Sequence, residues 1–317
     1  MIEIVAQSNE MREVLRLAER VAATDSTVLI TGESGTGKDT LAAWIHDRSS
    51  RSGQAMVKID CAALPSELIE AELFGYERGA FTGATEGRPG RFEAAHKGTL
   101  LLDEIAHLTV DAQAKLLRVI ETREFERLGG RRAIKVNSRL IALTNVDLSE
   151  AIRRSAFRED LYYRLNVVSL PLPALRKRRD DIEPLSQLFL ERSAAKHGRA
   201  VRSIGSTARK VLADYSWPGN IRELANAIER AVIVSAGTVL DLEEFSPAWR
   251  AAAAAEHAAQ DRPTLADLES SYVREILDEC RGNKSEAARI LGISRKNLYE
   301  RLNRDGVAAD PTDPTDD

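Results

Sequence analysis

GESGTGKD, Gly32 to Asp39, is the stretch of this sequence that decides its fold. A short apolar run, Thr27 to Thr31, precedes it and a helix-compatible stretch follows, which is the setting a phosphate-binding loop requires. Gly32, Gly35 and Gly37 permit a tight turn whose backbone N–H groups converge on phosphate oxygens, and the N-terminus of the next helix adds partial positive charge. Lys38 supplies a full charge for the outer phosphates. The candidate nucleotide-binding residues here are Gly32, Glu33, Ser34, Gly35, Thr36, Gly37, Lys38, Asp39 and Thr40. Asp39 stands where the general pattern has a Ser or Thr for magnesium, and Thr40 falls one position later.

A glycine-rich turn followed by lysine also arises by chance, so the loop needs a partner. LLLDE, Leu100 to Glu104, provides it: a buried strand that delivers two carboxylates at its C-terminal end, the edge where ligands bind in such sheets. Asp103 is expected to hold Mg2+, directly or through water, and Glu104 to orient and polarise the attacking water. Alone, the Asp-Glu pair reads as a solvated strand end; beside the loop it reads as half of a nucleoside triphosphate site.

Working outward, short apolar runs recur at Thr27 to Thr31, Met56 to Ile59, Thr99 to Leu102, Arg139 to Leu143 and Val167 to Leu170, most of them separated by helix-compatible stretches. Such continuous apolar strands between helices predict a parallel sheet covered on both faces. Ahead of the first strand, Met11, Val14, Leu15, Ala18 and Val21 share one helical face from Asn9 to Val21, with Ser8 as the cap. After Pro171 and Pro173 the strand signal stops. Asp181 to Ala236 reads as helical, broken at Gly205 and at Trp217-Pro218-Gly219.

The expected organisation is an α/β nucleotide-binding part over residues 1–171, a helical lid over 172–245, an alanine-rich tether, partly helical, over 246–264, a helix-turn-helix domain over 265–306 and a disordered acidic tail over 307–317.

At 317 residues the chain is long enough for two or three compact units. Its 45 Lys and Arg nearly balance 49 Asp and Glu, leaving a formal net charge of -4, so any affinity for nucleic acid must come from a local basic patch. Cys61 and Cys280 lack the spacing of a zinc site or a disulfide framework. No apolar segment approaches the roughly 20 residues that cross a bilayer, and the first residues lack a basic stretch followed by an apolar run. A soluble, cytoplasmic protein is expected.

The basic patch lies in GNKSEAARILGISRKNLYERL, Gly282 to Leu302. Ala287, Ala288 and Leu291 form an apolar helix face, Gly292 supplies the turn, and Ser294 caps a second helix. From Asn283 to Arg304 six basic residues face two acidic ones, a local +4. Arg295, Lys296 and Asn297 open the recognition helix and are candidates for major-groove bases; Lys284, Tyr299 and Arg301 are candidates for phosphate contacts.

GAFTGA, Gly79 to Ala84, surrounds one aromatic, Phe81, with small residues: a flexible loop with a single apolar contact point. Together with ELFGYERGAFTGA, GTLLLDEI, FERLGG, FREDLYYRLNVV and WPGNIREL it resembles the AAA+ ATPases known as sigma-54-dependent activators, or bacterial enhancer-binding proteins, and the resemblance runs from about Ile4 to Leu302. It implies that Gly79, Ala80, Phe81, Thr82, Gly83 and Ala84 contact sigma-54. It also implies that Arg158 and Arg164 enter a neighbouring subunit's site, that Thr144 and Asn145 sense the terminal phosphate, and that Arg222 is a second sensor in the lid. Asp60 matches the position of a polar residue, commonly Asn, that restrains the Glu104 equivalent. Two carboxylates facing there would repel unless a cation bridged them or one was protonated, so a leakier switch is expected.

The C-terminal segment resembles a Fis-type domain, with Leu265, Leu268, Tyr272 and Ile276 as a dimer face. The implied function is an ATPase, using ATP and Mg2+, that binds upstream enhancer double-stranded DNA as a dimer, forms a ring hexamer and remodels sigma-54 RNA polymerase holoenzyme into the open complex. The alternative is a DNA-binding regulator with a residual AAA+ fold that does not remodel polymerase. The family commonly begins with a receiver or sensor domain, whereas Met1 lies just ahead of the ATPase part; the two expectations are that the sequence is a fragment or that a separate regulatory protein controls it in trans, with trans control favoured.

Overall fold

The computed structural model describes residues 4–82, 84–260, 265–280 and 282–304. Gly83, tether residues 261–264, the end of the helix-turn-helix segment and the tail from 307 lie outside the described residues. The chain divides into two compact units between Ala253 and Ala254.

Five strands form the central sheet of the first unit: β1 (Val28–Thr31), β2 (Met56–Asp60), β3 (Thr99–Asp103), β4 (Arg139–Thr144) and β5 (Val168–Pro171). Their order is β2-β3-β4-β1-β5 and every neighbouring pair is parallel. Alternation along the strands divides the apolar runs between two cores. Leu29, Leu100, Leu102, Leu140 and Ala142 pack on one side, and Val28, Ile30, Leu101, Ile141 and Leu143 on the other. Burial on both faces is why these strands read as unbroken apolar runs. The helix Asn9–Ala22 belongs to the second core, and Ser8 Oγ accepts from the Met11 N–H at 3.3 Å as its cap. Parallel register aligns Thr31 with Thr144 and Asp60 with Asp103, so the chemistry-bearing strand ends share one edge.

Beyond β5 come the lid helices Ile182–His197, Ser206–Asp214 and Asn220–Val234. A two-stranded parallel pair, Ser203–Ile204 with Val239–Leu240, was not legible because each strand has only two residues. The expected tether needs a correction. Pro247–Gln260 is helical, and Trp249, only 8% exposed, stacks on Trp217 at 5.6 Å and meets Phe245 and Tyr215. Aromatic pairs of this kind contribute about 1 kcal/mol each beyond area burial, so the start of this stretch is part of the lid core. Among its alanines, Trp249 and Ala253 are buried in that core.

The second unit holds the helices Leu265–Glu279, Lys284–Leu291 and Arg295–Arg304 around Val273, Ile276, Ala287, Ala288, Leu298 and Leu302. Asn283 caps the middle helix by accepting from Glu286 N–H at 3.2 Å, and Gly292, at φ 68°, turns the chain where an L side chain would be strained.

Candidate functional site

The loop Gly32–Gly37 leaves β1 and enters the helix Lys38–Asp47. At Gly35, φ is 78° and a Cβ would lie 2.3 Å from the carbonyl oxygen of Gly219, so both backbone and space demand glycine. That close approach comes from the lid. Ile221 N–H donates to Gly35 O at 2.9 Å, and Asn220 Nδ2 donates to Ser34 O at 3.0 Å and to Glu33 Oε2 at 3.2 Å. The Asn220 Oδ1 accepts from Leu175 N–H at 2.8 Å. Asn220 is fully buried with φ 54°, a left-handed conformation that asparagine tolerates better than most residues. Arg176 pairs with Glu33, and these bonds, from Arg176 first and then Asn220, hold the Glu33 carboxyl down at about 2. Arg178, almost fully buried, donates from Nη2 to Thr36 O at 2.7 Å; burial pulls its pKa down, against the field of Asp181.

Lys38 is buried beneath the loop. Its Nζ donates to Gly32 O at 2.8 Å and Glu33 O at 3.2 Å, and desolvation lowers its pKa against the pull of Glu104, Asp103 and Asp39. A cavity of about 260 Å³ opens here, bounded by the loop from Ser34 to Thr40, Asp103, Glu104 and, from the lid, Phe189, Ile221 and Arg222. Arg222 Nη1 donates to Ser34 Oγ at 2.9 Å. Glu104 is at φ 52°, ψ 52°, an arrangement that costs a non-glycine residue about 1 kcal/mol. Its Oε2 accepts from the Asn145 N–H at 3.2 Å. Thr144, buried at the end of β4, accepts through Oγ1 from Val146 N–H at 3.0 Å.

Asp60 ends β2. Its Oδ1 accepts from Ala62 N–H at 2.9 Å and Ala63 N–H at 3.2 Å, so it caps its own turn while Glu104 is held from β4. The cation between carboxylates sits elsewhere: Lys58 Nζ lies 2.8 Å from Asp103 Oδ2 and also bonds Asp39 Oδ1. Sequence reading missed Lys58: its backbone stands level with Leu101 in the middle of β3, and only the reach of its side chain brings its charge to the strand end.

Arg158 and Arg164 lie outside this cavity. Arg158 pairs with Asp160 at 2.7 Å, which raises its pKa, and Arg164 with Glu121 at 3.0 Å; both guanidinium groups face solvent. In the stretch from Gly79 to Ala84, the Gly79 N–H donates to Ala84 O at 2.8 Å and the Ala84 N–H to Phe81 O at 3.0 Å. Phe81 is 41% exposed and meets Tyr76 edge-on at 5.0 Å; Thr82 is exposed. Ala84 is buried.

In the second unit Ser294 Oγ accepts from Asn297 N–H at 3.2 Å and caps the helix that carries Arg295, Lys296 and Asn297, all three exposed. Asn297 Oδ1 accepts from Arg301 Nε at 2.9 Å, while Arg301 also pairs with Glu269. Lys284 Nζ lies over the Tyr299 ring at 5.1 Å. The expected dimer face needs revision: Ile276 is only 6% exposed and belongs to this unit's own core, whereas Tyr272 is exposed. The side chains of Leu265 and Leu268 lie outside the described residues.

A second feature escaped sequence reading. Behind the loop a largely apolar cavity of about 140 Å³ is lined by Ile4, Val5, Met11, Leu188, Phe189 and Ile221 among others, with Arg178 and Thr40 at its polar side. Its walls come from four segments distant in sequence, so no local pattern marks it. Among the described residues no helix is long and apolar enough to cross a membrane.

Comparison with known proteins matches three consecutive parts of the chain. The family model described as the sigma-54 interaction domain covers residues 4–171, the AAA+ ATPase lid domain residues 176–262, and the Fis family of bacterial regulatory proteins residues 264–304. Regulatory protein AtoC of Escherichia coli K12 is 43% identical over 318 residues, spanning 98% of this chain and 68% of its own. Transcriptional regulatory protein ZraR of Klebsiella oxytoca is 46% identical over 303 residues, 95% of this chain and 68% of its own. Among solved structures, NtrX from Brucella abortus in complex with ADP superposes with a TM-score of 0.72 at 35% identity, over 96% of this chain and 69% of that one.

Proposed function

Because the chain belongs to the sigma-54-dependent transcriptional activators, with a AAA+ ATP-binding core and a Fis-type DNA-binding domain, we propose that it hydrolyses ATP to remodel sigma-54 RNA polymerase into the open complex from an upstream DNA site. The observation that carries this reading is the convergence of Lys38, Asp103, Glu104 and the lid's Arg222 on one cavity at the sheet edge. ATP phosphates would lie against the N–H groups of Gly35 to Lys38, with Lys38 exchanging its two carbonyl partners for phosphate oxygens. The heterocycle would enter the apolar cavity behind the loop.

Mg2+ fits the donors present. It is commonly held by one or two carboxylates plus substrate phosphates and waters, and Asp103, with Asp39 close by, offers that chemistry. Bound there, it would neutralise charge developing on the transferred phosphoryl group. Glu104, held by Asn145 N–H, would accept the proton of the attacking water. Arg222 ties the lid to the loop through Ser34, so its partner changes when phosphate arrives, and lid position follows occupancy.

Arg158 and Arg164 lie away from their own cavity in solvent-facing ion pairs, an arrangement that suits delivery to a neighbouring subunit's phosphate in a ring hexamer. Thr82 and Phe81 would meet sigma-54; Arg295, Lys296 and Asn297 would read DNA as part of a dimer. In this reading residues 1–171 and 172–245 form the ATPase core and lid. The test combines purified protein, sigma-54 polymerase, a supercoiled promoter and ATP. Open complexes that vanish in Thr82→Ala, while its ATP hydrolysis persists, support the reading; ATP hydrolysis without open complexes in the unmutated protein refutes it.

A further inference from the structure

Lys58 has no part in the reading above, yet its ammonium sits between two carboxylates of the site. It projects from the edge strand β2, where its backbone is level with Leu101 of β3, and its ammonium reaches forward to the strand end. There it lies 2.8 Å from Asp103 Oδ2 and bonds Asp39 Oδ1, joining the carboxylate after the phosphate-binding loop to the carboxylate at the end of β3. Asp103 is largely buried at 13% side-chain exposure, whereas Lys58 is 44% exposed. The acid is thus fixed and the lysine has room to swing aside.

We propose that Lys58 is a built-in counter-cation: it satisfies the Asp39 and Asp103 carboxylates while the site is empty and competes with a divalent cation for Asp103. Two carboxylates near one another without a cation repel and invite a free divalent ion from solution. With the ammonium between them, a divalent ion must displace a charged partner from Asp103, and its own affinity for the empty protein falls. A cation that arrives already bound to nucleotide phosphates has further ligands and meets the same barrier with more binding energy. The empty site therefore favours the cation-nucleotide complex over the free ion. This inference rests on the assignment of Asp103 as the metal-holding group.

The test is the binding of Mn2+ to the nucleotide-free full chain, followed by the electron paramagnetic resonance of the free ion. Lys58→Met should bind Mn2+ about fivefold more tightly than the unmutated protein, the equivalent of one partly exposed ion pair at the upper end of its range. Lys58→Arg, which keeps the charge, should remain close to the unmutated protein. Thermal melting establishes that each variant is folded. Equal Mn2+ affinity in Lys58→Met and the unmutated protein, with both losing it on Asp103→Asn, overturns the role of Lys58 and leaves Asp103 as the metal-holding group. Affinity indifferent to Asp103→Asn in both backgrounds overturns the inference together with that assignment.

Discussion

Replacing Asn220 tests the joint between lid and phosphate-binding loop. Asn220→Ala removes an acceptor from the buried Leu175 N–H at 2.8 Å and donors from Ser34 O at 3.0 Å and Glu33 Oε2 at 3.2 Å. A buried backbone donor left without a partner costs about 1–3 kcal/mol, and an alanine held at this left-handed backbone adds about 1 kcal/mol. The expected loss is about 3 kcal/mol. Asn220→Gly suffers the same loss of partners without the backbone strain, so it should recover about 1 kcal/mol of that. Urea unfolding followed by tryptophan fluorescence reads this directly, because Trp217 and Trp249, two of the three tryptophans in the chain, lie in the lid core. Binding of a fluorescent ADP should weaken in the same variants, since the bonds lost join the lid to Glu33 and Ser34. A destabilisation below about 1 kcal/mol in Asn220→Ala, under the cost of a single orphaned donor, refutes the reasoning.

Glu33 offers a pH test. Its carboxyl, ordinarily at 4.5, is held down at about 2 by Arg176 and Asn220, so its contribution to stability is complete above pH 4.5 and disappears as pH falls towards 2. Glu33→Gln should flatten the acid limb of stability in that window; an unchanged slope between those values contradicts the pairing. Arg158→Ala and Arg164→Ala should retain fluorescent-nucleotide affinity and lose at least a hundredfold in phosphate release, below the roughly 10³ to 10⁵ that inserted arginines contribute. Hydrolysis at the unmutated rate in the double variant removes the shared-site reading. Arg295→Ala combined with Asn297→Ala should erase sequence preference in footprinting while leaving residual, salt-sensitive binding; an unaltered footprint would show that other residues read the bases.

The parts of this molecule that were legible in the sequence are those whose chemistry is encoded within a few residues. GESGTGKD names its own turn, charge and helix start, and LLLDE names a strand and the two acids at its end. Their meeting needed one further step, the rule that parallel strands present their C-terminal ends to a common edge, and that rule suffices because register aligns Asp60 with Asp103 and Thr31 with Thr144. The cap at Ser8 and the turn at Gly292 follow the same local logic.

What stayed hidden is carried by pairs far apart in the chain. Asn220 and Glu33 are 187 residues apart and Arg176 and Glu33 are 143 apart, so neither contact leaves a local pattern. Alternation along a strand assigns a residue to a face and says nothing about how far a long side chain reaches along that face. Lys58 shows the consequence: its backbone stands level with Leu101, yet its charge acts at Asp103 and Asp39. Ile276 shows the converse, since helical spacing alone fits an outward face or an inward one equally, and packing against Ala287, Ala288 and Leu298 decides for the core. Local sequence therefore specifies the reactive groups, while the charges and bonds that set their resting state come from long side chains and distant loops. For that reason substitutions at Lys58 or Asn220 separate the resting state from the chemistry more cleanly than substitutions at Lys38 or Glu104, which alter both at once.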